Sequence, residues 1–362
     1  MAADRAKILR LVPSDRDPQK PVSQGCGRPY GDRVLTPPDG LPEDRLVSVL
    51  AGRWGVATAS LAYLAVGFGS HHWEARDAAG TRWFVTADDL RARRHSRGEP
   101  PSAVFGRLCA SLTAAADLRD CGRAFVVAPV PPARGGPLVR ANDGFSVALY
   151  PFVDGRSFEW GEFCTPAHRR GMLGLIIGVH TAPAAARRHA AADDFTVPYR
   201  DELEAALAGP GPADCGPYAR PAALLLAASE APVRRVLARY DELVVGARRH
   251  GSRTVLTHGE PHPGNTMLAS GRWLLIDWDT VLVAPPERDL WSLDPGDGSI
   301  LAAYAAATGV TPLPPLLELY RIRWDLTDIA MGVSRFREHH PGSADDDKTW
   351  DGLRTLIARI TG

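Results

Sequence analysis

Two short stretches decide how this chain folds: HGEPHPGN at residues 258–265 and LLIDWD at residues 274–279. In the first, His258, Glu260 and Asn265 are polar residues at fixed spacing. Two prolines and two glycines lie among them, so the stretch is a loop rather than a helix. The first stretch therefore predicts a rigid polar loop followed by a short pair of strands.

The second stretch is an apolar run that ends in two carboxylates, Asp277 and Asp279. Before it, residues 267–269 and 273–276 have the composition of a short strand pair. If the strand continued through both carboxylates, alternation would place their side chains on one face. Carboxylate oxygens are the ligands that hard cations such as Mg²⁺ prefer. We therefore expect Asp277 and Asp279 to point together toward a metal.

The spacing of the polar loop matches a loop used in phosphoryl transfer. That reaction needs a carboxylate to orient the attacking hydroxyl, and an Asn and an Asp to hold Mg²⁺ on the phosphates. In the H-x-D-x-x-x-x-N loop, the carboxylate lies two residues after the His and five before the Asn, as Glu260 does between His258 and Asn265. The spacing predicts Glu260 as the catalytic carboxylate, and Asn265 and Asp277 as metal ligands.

The rest of the chain divides into three parts. Residues 1–42 are rich in Pro, Gly, Asp and Arg and predict a flexible leader. Residues 43–152 predict a small, mostly β lobe, with a helix at 102–118 and strands at 59–68, 81–86, 124–130 and 145–152; the first two strands would form a hairpin with a glycine-rich loop. Residues 153–362 predict a helical lobe that opens at Thr165 and Pro166, with later helices at 199–207, 221–229, 232–250, 300–307 and 314–336.

The chain resembles the aminoglycoside phosphotransferase family and its spectinomycin-kinase-like relatives in three segments: residues 258–265, 274–279 and 284–291 (APPERDLW). The resemblance extends more loosely from about residue 59 to residue 336. It implies an α+β, bilobal protein-kinase-like fold, with a small N-terminal nucleotide-binding lobe and a larger helical C-terminal lobe. It also implies transfer of the γ-phosphoryl group of ATP or GTP, with Mg²⁺, to a hydroxyl of an aminoglycoside-like or aminocyclitol-like antibiotic or a related natural product.

The resemblance also assigns roles to single residues. Glu260 stands where the family has a catalytic Asp, Asn265 and Asp277 match its metal ligands, and Asp289 matches a carboxylate that braces the loop. The remaining matches are nucleotide-binding positions, in the loop over the phosphates and in the connector beside the purine: Gly67, Gly69, Ser70, Tyr150 and Phe152.

Two departures from the family pattern bear on activity. Glu260 is one methylene longer than Asp, and a misplacement of about 1 Å costs on the order of 10²-fold in rate. The third strand normally carries a Lys that pairs with a helix Glu. Here Thr86 occupies that position, and the candidate partner helix, 102–118, contains no Glu.

The missing lysine follows from composition as well. The chain has lysine only at Lys7, Lys20 and Lys348, so every permanent cation between them is arginine. The phosphates would then be held by loop amides, by Mg²⁺, or by one of the arginines after the third strand: Arg91, Arg93 or Arg94. The alternative is a catalytically impaired pseudokinase that binds a nucleotide or another small molecule.

Charge, apolar run length and cysteine spacing indicate which classes of partner and which cellular location to expect. The 42 Lys and Arg offset 42 Asp and Glu, which disfavours a nucleic-acid partner because such proteins usually carry a basic surplus. Apolar runs are too short to span a bilayer, so no membrane partner is expected. The five cysteines are irregularly spaced without a C-x-x-C pair, which favours reduced thiols and a cytoplasmic location. A zinc site at His258 and His262 is a weaker alternative.

Overall fold

The computed structural model of the chain describes residues 36–67, 69–209, 211, 214–249 and 251–361. Residues 1–35 of the predicted leader, and Phe68 in the glycine-rich loop, lie outside the described residues. No helix in the described part of the chain has both the length and the apolar composition needed to cross a membrane. The first described helix begins at Glu43.

The first part of the chain is built around an antiparallel sheet. Its elements are α1 (Glu43–Trp54), β1 (Thr58–Leu64), β2 (Ser70–Asp77), β3 (Arg82–Asp89), α2 (Pro101–Asp120), β4 (Val139–Arg140) and β5 (Phe145–Pro151). The strands are ordered β1-β2-β3-β5-β4. In the central strand, β3, Thr86 is paired with His72 on β2 and with Ala148 on β5. Thr86 therefore lies in the middle of the sheet.

The predicted hairpin is wrong because a strand lies between its two members. β1 pairs with β2, and β2 pairs with β3, so the glycine-rich loop joins β1 to β2. The sequence of β2, SHHWEARD, is mostly polar and gives a weak strand signal. Only Trp73 and Ala75 from it are fully buried, and this alternation is the signal that a strand was present.

The predicted strand at 124–130 is also wrong. In this segment only Val126 makes a bridge, and its partner is Leu275 in the helical part rather than a strand of the sheet. Pro129, Pro131 and Pro132 lie at the end of the segment and lack the N–H that a ladder needs. The segment instead fastens the second part of the chain to the first.

The second part is mostly helical, which confirms the predicted α+β class. Its elements are β6 (Arg156–Ser157), α3 (Pro166–His180), α4 (Arg200–Ala208), α5 (Ala219–Ala228), α6 (Glu230–Arg248), β7 (Val255–Thr257), β8 (Thr266–Ala269), β9 (Arg272–Leu275), β10 (Leu282–Ala284), α7 (Glu287–Leu290), α8 (Ser299–Thr308), α9 (Pro314–Phe336) and α10 (Ala344–Thr361). Two small sheets, β6-β8-β9 and β10-β7, lie among the helices. The predicted helices are present with ends shifted by two residues or fewer, and α10 was not predicted.

One apolar core is shared between the two parts. It contains Leu108 and Leu112 from α2, Met172 and Ile176 from α3, and Leu275 at the end of β9. The sheet has a separate core around Trp73, Val85, Val147 and Leu149. Because α2 packs on the helical part, the segment that leads to Asp277 has a firm support on its sheet side.

A buried ion pair stabilises the helical part. Asp193 and Arg323 on α9 approach to 2.7 Å, and their side chains are 1% and 17% exposed. The Tyr320 hydroxyl donates to the same carboxylate at 3.1 Å. The backbone N–H of Asp193 donates to Val283 on β10. The pair therefore joins α9 to the strand that precedes α7.

We expect Arg323→Met to lower the free energy of unfolding by about 3–5 kcal/mol, because it leaves the Asp193 carboxylate buried without its cation. Urea denaturation measures this loss. Arg321→Met, at an exposed position of the same helix, is the matched control and should change little. The double variant Asp193→Asn/Arg323→Met should recover part of the loss; no recovery would contradict the charge-based explanation.

Candidate active site

A buried carboxylate holds the start of the 258–265 loop. Asp289, on α7, accepts hydrogen bonds from the backbone N–H of His258 at 2.8 Å and of Gly259 at 2.6 Å. His180 Nε2, at the end of α3, lies 3.0 Å from the same carboxylate, and neither side chain is more than 1% exposed. These bonds join α3, α7 and the loop, so the loop cannot shift without breaking hydrogen bonds to a charged group.

The surroundings keep Asp289 ionised. Burial alone raises the pKa of Asp289, but the hydrogen bond from His180 and the nearby charges, including Arg288, outweigh it. The resulting pKa lies below the ordinary value for an aspartate. An ionised carboxylate is the acceptor that the two backbone N–H groups and the imidazole require.

His258 connects the loop to the segment before Asp277. Its Nε2 lies 2.9 Å from the Ile276 carbonyl oxygen, and its Nδ1 accepts the Glu260 N–H at 3.3 Å. Burial lowers the pKa of His258, which suits a neutral ring with its proton on Nε2. Both ring nitrogens are used, and among the described residues no group of three His, Cys, Asp or Glu side chains could hold a metal. The geometry does not support a zinc site at His258 and His262.

Gly259 is required by the backbone and by a close neighbour. Its φ is +101°, and a Cβ at this position would lie 2.4 Å from Arg288 Nη2. Arg288 is itself fixed, because it donates to Thr257 Oγ1 at 2.8 Å and to the Thr280 carbonyl at 2.7 Å. The glycine therefore lets a guanidinium pack directly under the loop.

Glu260 and Asn265 meet at the open side of the loop. Asn265 Nδ2 donates to the Glu260 carbonyl oxygen at 2.9 Å. The Asn265 carbonyl accepts the Ile276 N–H at 3.0 Å, which places Asn265 beside the residue before Asp277. The Glu260 side chain is 11% exposed, with one carboxylate oxygen 3.8 Å from His262 Nε2. The structure thus brings together the three candidate residues that the loop spacing predicts.

Asp277 reaches the site through a turn, and the predicted strand through Asp279 is wrong. β9 ends at Leu275, and Asp277 has φ +64°, which interrupts strand alternation. It is one of four non-glycine residues with positive φ in the described part of the chain. Such backbone is strained and concentrates at functional sites. Both carboxylates nevertheless lie near one group, the Arg93 guanidinium, whose pKa they raise.

The glycine-rich loop lies over the same cleft. Gly67 and Gly69 have φ of +75° and +78°, values that glycine adopts without cost. Ser70 begins β2, and its hydroxyl donates to Asp88 Oδ1 on β3 at 2.8 Å. The predicted loop residues are therefore next to a buried carboxylate of the sheet.

Tyr150 and Phe152 lie at the end of β5 and face different ways. Burial, together with carboxylates such as Asp88, raises the pKa of Tyr150, and the neighbouring Thr86 lowers it by less. Above the Phe152 ring lies the Arg82 guanidinium, 3.6 Å from the ring centroid, and the Phe152 N–H donates to the Arg82 carbonyl at 3.3 Å. The Tyr150 side chain thus belongs to the cleft, whereas the Phe152 ring is covered by Arg82.

Arg93, in the turn after β3, joins the sheet to the helical part. Its Nη1 lies 2.5 Å from Asp279 Oδ2, and its Nη2 lies 3.0 Å from Asp88 and 2.5 Å from Ser70 Oγ. Burial lowers the pKa of Arg93, but four nearby carboxylates raise it above its ordinary value: Asp279, Asp88, Asp277 and Glu260. Arg91 in the same turn is exposed. Arg97 pairs instead with Glu202 on α4 at 2.7 Å.

A family model described as "Phosphotransferase enzyme family" matches residues 52–321, well over half of the chain. The chain belongs to the phosphotransferase enzyme family. It is 33% identical to Protein StrN of Streptomyces griseus in an alignment of 264 residues, which covers 68% of this chain and 75% of StrN. Membership confirms the resemblance that the loop, the apolar run and the APPERDLW segment predicted.

Solved structures confirm the fold. A spectinomycin phosphotransferase in complex with ADP and spectinomycin has a TM-score of 0.59 at 14% identity, covering 88% of this chain and 97% of its own. An amicoumacin kinase in complex with AMP-PNP, Ca²⁺ and Ami has a TM-score of 0.54 at 16% identity, covering 88% and 92%. At these identities the likeness establishes the bilobal kinase-like fold.

Two contacts of the site have no signal in the local sequence. His180 lies at the end of the apolar helix α3, and its bond to Asp289 joins residues 109 positions apart. The central position of Arg93 likewise depends on a contact with Asp279 across 186 positions. No local spacing could predict either contact, although the apolar periodicity of α3 indicated that His180 was buried.

We expect Asp289→Asn to lower the free energy of unfolding by about 2–4 kcal/mol, since the amide turns a donor toward N–H groups that need an acceptor. Urea denaturation and amide hydrogen exchange at His258 and Gly259 measure the effect. Asp297→Asn, at an exposed position that also accepts a backbone N–H, is the control. Unchanged protection of the two loop amides would contradict the bracing role.

Proposed function

We propose that this protein transfers the γ-phosphoryl group of ATP or GTP to a hydroxyl of an antibiotic or related natural product, of aminoglycoside or aminocyclitol type. The observation that carries the proposal is the convergence of Glu260, Asn265 and Asp277, tied by the Asn265–Glu260 and Ile276–Asn265 hydrogen bonds. Phosphoryl transfer depends on positioning and charge more than on covalent chemistry of the protein. A braced loop with a carboxylate at its open side supplies that positioning.

Glu260 is the proposed catalytic residue. Its backbone is held by His258 and Asn265, so the carboxylate has a defined origin from which to reach the acceptor. It accepts a hydrogen bond from the attacking hydroxyl and takes its proton as the new bond to the γ-phosphorus forms, while the bond from that phosphorus to the bridging oxygen breaks and the nucleoside diphosphate leaves. The Glu260 side chain is one methylene longer than that of an aspartate. Its carboxylate therefore suits an acceptor hydroxyl that lies about one methylene further from the loop.

The residues present fit Mg²⁺. Asn265 uses its Nδ2 on the Glu260 carbonyl, which leaves Oδ1 as its ligand atom, and Asp277 adds a carboxylate. Mg²⁺ is usually bound by one or two such oxygens together with substrate phosphates. When bound, Mg²⁺ neutralises charge on the phosphoryl group being transferred. Asp277 and Asn265 would hold the metal, and Asp289 supports both residues indirectly through the loop and through His258.

The proposed nucleotide site lies between a lobe at 43–152 and a lobe at 153–362. Gly67, Gly69 and Ser70 would cover the phosphates, with Tyr150 and Phe152 at the purine end. The complexes of the spectinomycin phosphotransferase with ADP and of the amicoumacin kinase with AMP-PNP support a nucleotide donor. The four described cysteines form no disulfide, which supports the proposed cytoplasmic location.

The antibiotic class of acceptor is supported by the same two proteins, whose structures hold spectinomycin and Ami. The alternative, a binding module without transferase activity, is favoured by Thr86, which stands in place of the usual lysine. Glu260 in place of Asp points the same way. The alternative module binds a nucleotide or another small molecule without transferring phosphate, so turnover is the property that separates the two alternatives.

We expect Glu260→Gln to reduce phosphoryl transfer by about 10²-fold or more, because the amide cannot take the proton. The affinity for nucleotide should stay unchanged. Purified protein is incubated with Mg²⁺, ATP or GTP and a panel of aminoglycosides and aminocyclitols, and mass spectrometry detects the phosphorylated acceptor. Calorimetry measures the dissociation constant of the nucleotide in parallel.

Glu242→Gln, at an exposed position of α6, is the matched control and should keep full activity. Full activity of Glu260→Gln would remove Glu260 from the mechanism. If the wild-type protein binds nucleotide but phosphorylates no acceptor of the panel, the transferase proposal for this acceptor class fails and the binding-module alternative is favoured.

A further inference from the structure

The cleft needs a cation that the usual strand position does not provide. Thr86 is uncharged, and so is its neighbour Tyr150, whose pKa is raised by burial. His72, paired with Thr86 across the sheet, cannot help: burial first, and then the charge of Arg93, lower the pKa of His72 to about 3. The sequence between Lys20 and Lys348 contains no lysine. A bound triphosphate must therefore be neutralised by an arginine, by Mg²⁺ or by backbone amides alone.

We propose that Arg93 is the residue that holds the nucleotide phosphates, in place of the lysine missing at Thr86. The proposal rests on the phosphotransferase function proposed above. It makes Arg93 a specificity-determining residue for phosphate-bearing ligands, on a turn rather than on the strand itself.

The position of Arg93 fits this role. Its guanidinium lies directly under the glycine-rich loop, with its Cζ 3.5 Å from where a Cβ on Gly69 would be. The same group contacts Ser70 Oγ on one side and Asp279 on the other. It therefore stands between the loop that would cover the phosphates and the carboxylates that would face the metal.

One N–H donor of Arg93 makes no hydrogen bond to the described residues. Its Nη1 and Nη2 bond Asp279, Asp88 and Ser70, whereas its Nε is buried and makes no hydrogen bond within the described part of the chain. A buried N–H without an acceptor is costly, so it points to a ligand that supplies one. The Nε N–H would donate to one phosphate oxygen, and the guanidinium charge would strengthen that bond.

The turn that carries Arg93 is fixed to α2. Arg107 on α2 donates to the Arg93 carbonyl oxygen at 2.7 Å and forms an ion pair with Glu99. In the usual arrangement a helix glutamate positions the strand lysine. Here the helix has no glutamate, and it positions the cation through a backbone carbonyl instead. The replacement of both members of the pair is thus accounted for by one turn.

A purely structural bridge is the competing explanation, because Arg93 joins the sheet to Asp279. One property separates the two explanations. A phosphate-binding residue affects ligands in proportion to their phosphate groups, whereas a bridge affects nucleoside and nucleotide alike. Arg91 provides a matched control, because it lies in the same turn and is exposed.

The experiment compares wild type, Arg93→Met and Arg91→Met by calorimetry in Mg²⁺ with three ligands. These are ATP or GTP, whichever the wild type binds, its diphosphate, and its nucleoside. We expect Arg93→Met to raise the dissociation constants of the triphosphate and the diphosphate about 10- to 100-fold, as for loss of hydrogen bonds to a charged group. The nucleoside affinity should stay unchanged, the salt dependence of triphosphate binding should weaken, and Arg91→Met should match wild type.

Wild-type affinity of Arg93→Met for both phosphate-bearing ligands overturns the proposal. So does an equal loss for the nucleoside, which is the signature of a structural bridge. If Arg93→Met does not fold, Arg93→Gln removes the charge but keeps hydrogen-bond donors for Ser70 and Asp279, and the same expectations and refutations apply to it. If the wild type binds neither ATP nor GTP, the proposed function fails, whereas a binding wild type with an unaffected Arg93→Met refutes only the role of Arg93.

Discussion

Asp289 accepts hydrogen bonds from the backbone N–H groups of His258 and Gly259. These two bonds fix the start of the 258–265 loop, and the rest of the candidate site depends on the position of that loop. The carboxylate is fully buried and is held in turn by His180. Through His258 the same network reaches Ile276, the residue before Asp277. A loop rich in proline and glycine has no ladder to hold it, so a buried charge with three donors replaces secondary structure here.

Charge is the second constraint on the cleft. Asp88, Asp277, Asp279 and Glu260 all act on one guanidinium, that of Arg93. This excess of carboxylates suits a site that receives Mg²⁺ together with an anionic nucleotide. The positive charges of Mg²⁺ and Arg93 would then together neutralise the carboxylates and the phosphates. A kinase-like cleft without its strand lysine can work on this basis, provided that the turn after β3 is held as firmly as the strand.

The loop at 258–265 and most of the helices were predictable, because spacing and helical periodicity are local properties of the sequence, although α10 was not predicted. β2 was not, since its strand signal consists of Trp73 and Ala75 within a polar run. The predicted strand through Asp277 and Asp279 was wrong, because the positive φ of Asp277 cannot be recognised from the composition of the segment. The Arg93–Asp279 contact joins residues 186 positions apart and arises only when the two lobes meet.

The central claim is that this cleft holds a Mg²⁺-nucleotide with its terminal phosphate facing Glu260. The most direct test is a crystal structure of the protein grown with Mg²⁺ and a non-hydrolysable triphosphate analogue. We predict metal density on Asn265 Oδ1 and the Asp277 carboxylate, phosphate oxygens on the Arg93 guanidinium, and the γ-phosphorus on the side of Glu260. A well-ordered nucleotide elsewhere, or one in the cleft with its phosphates turned away from these residues, would contradict the claim.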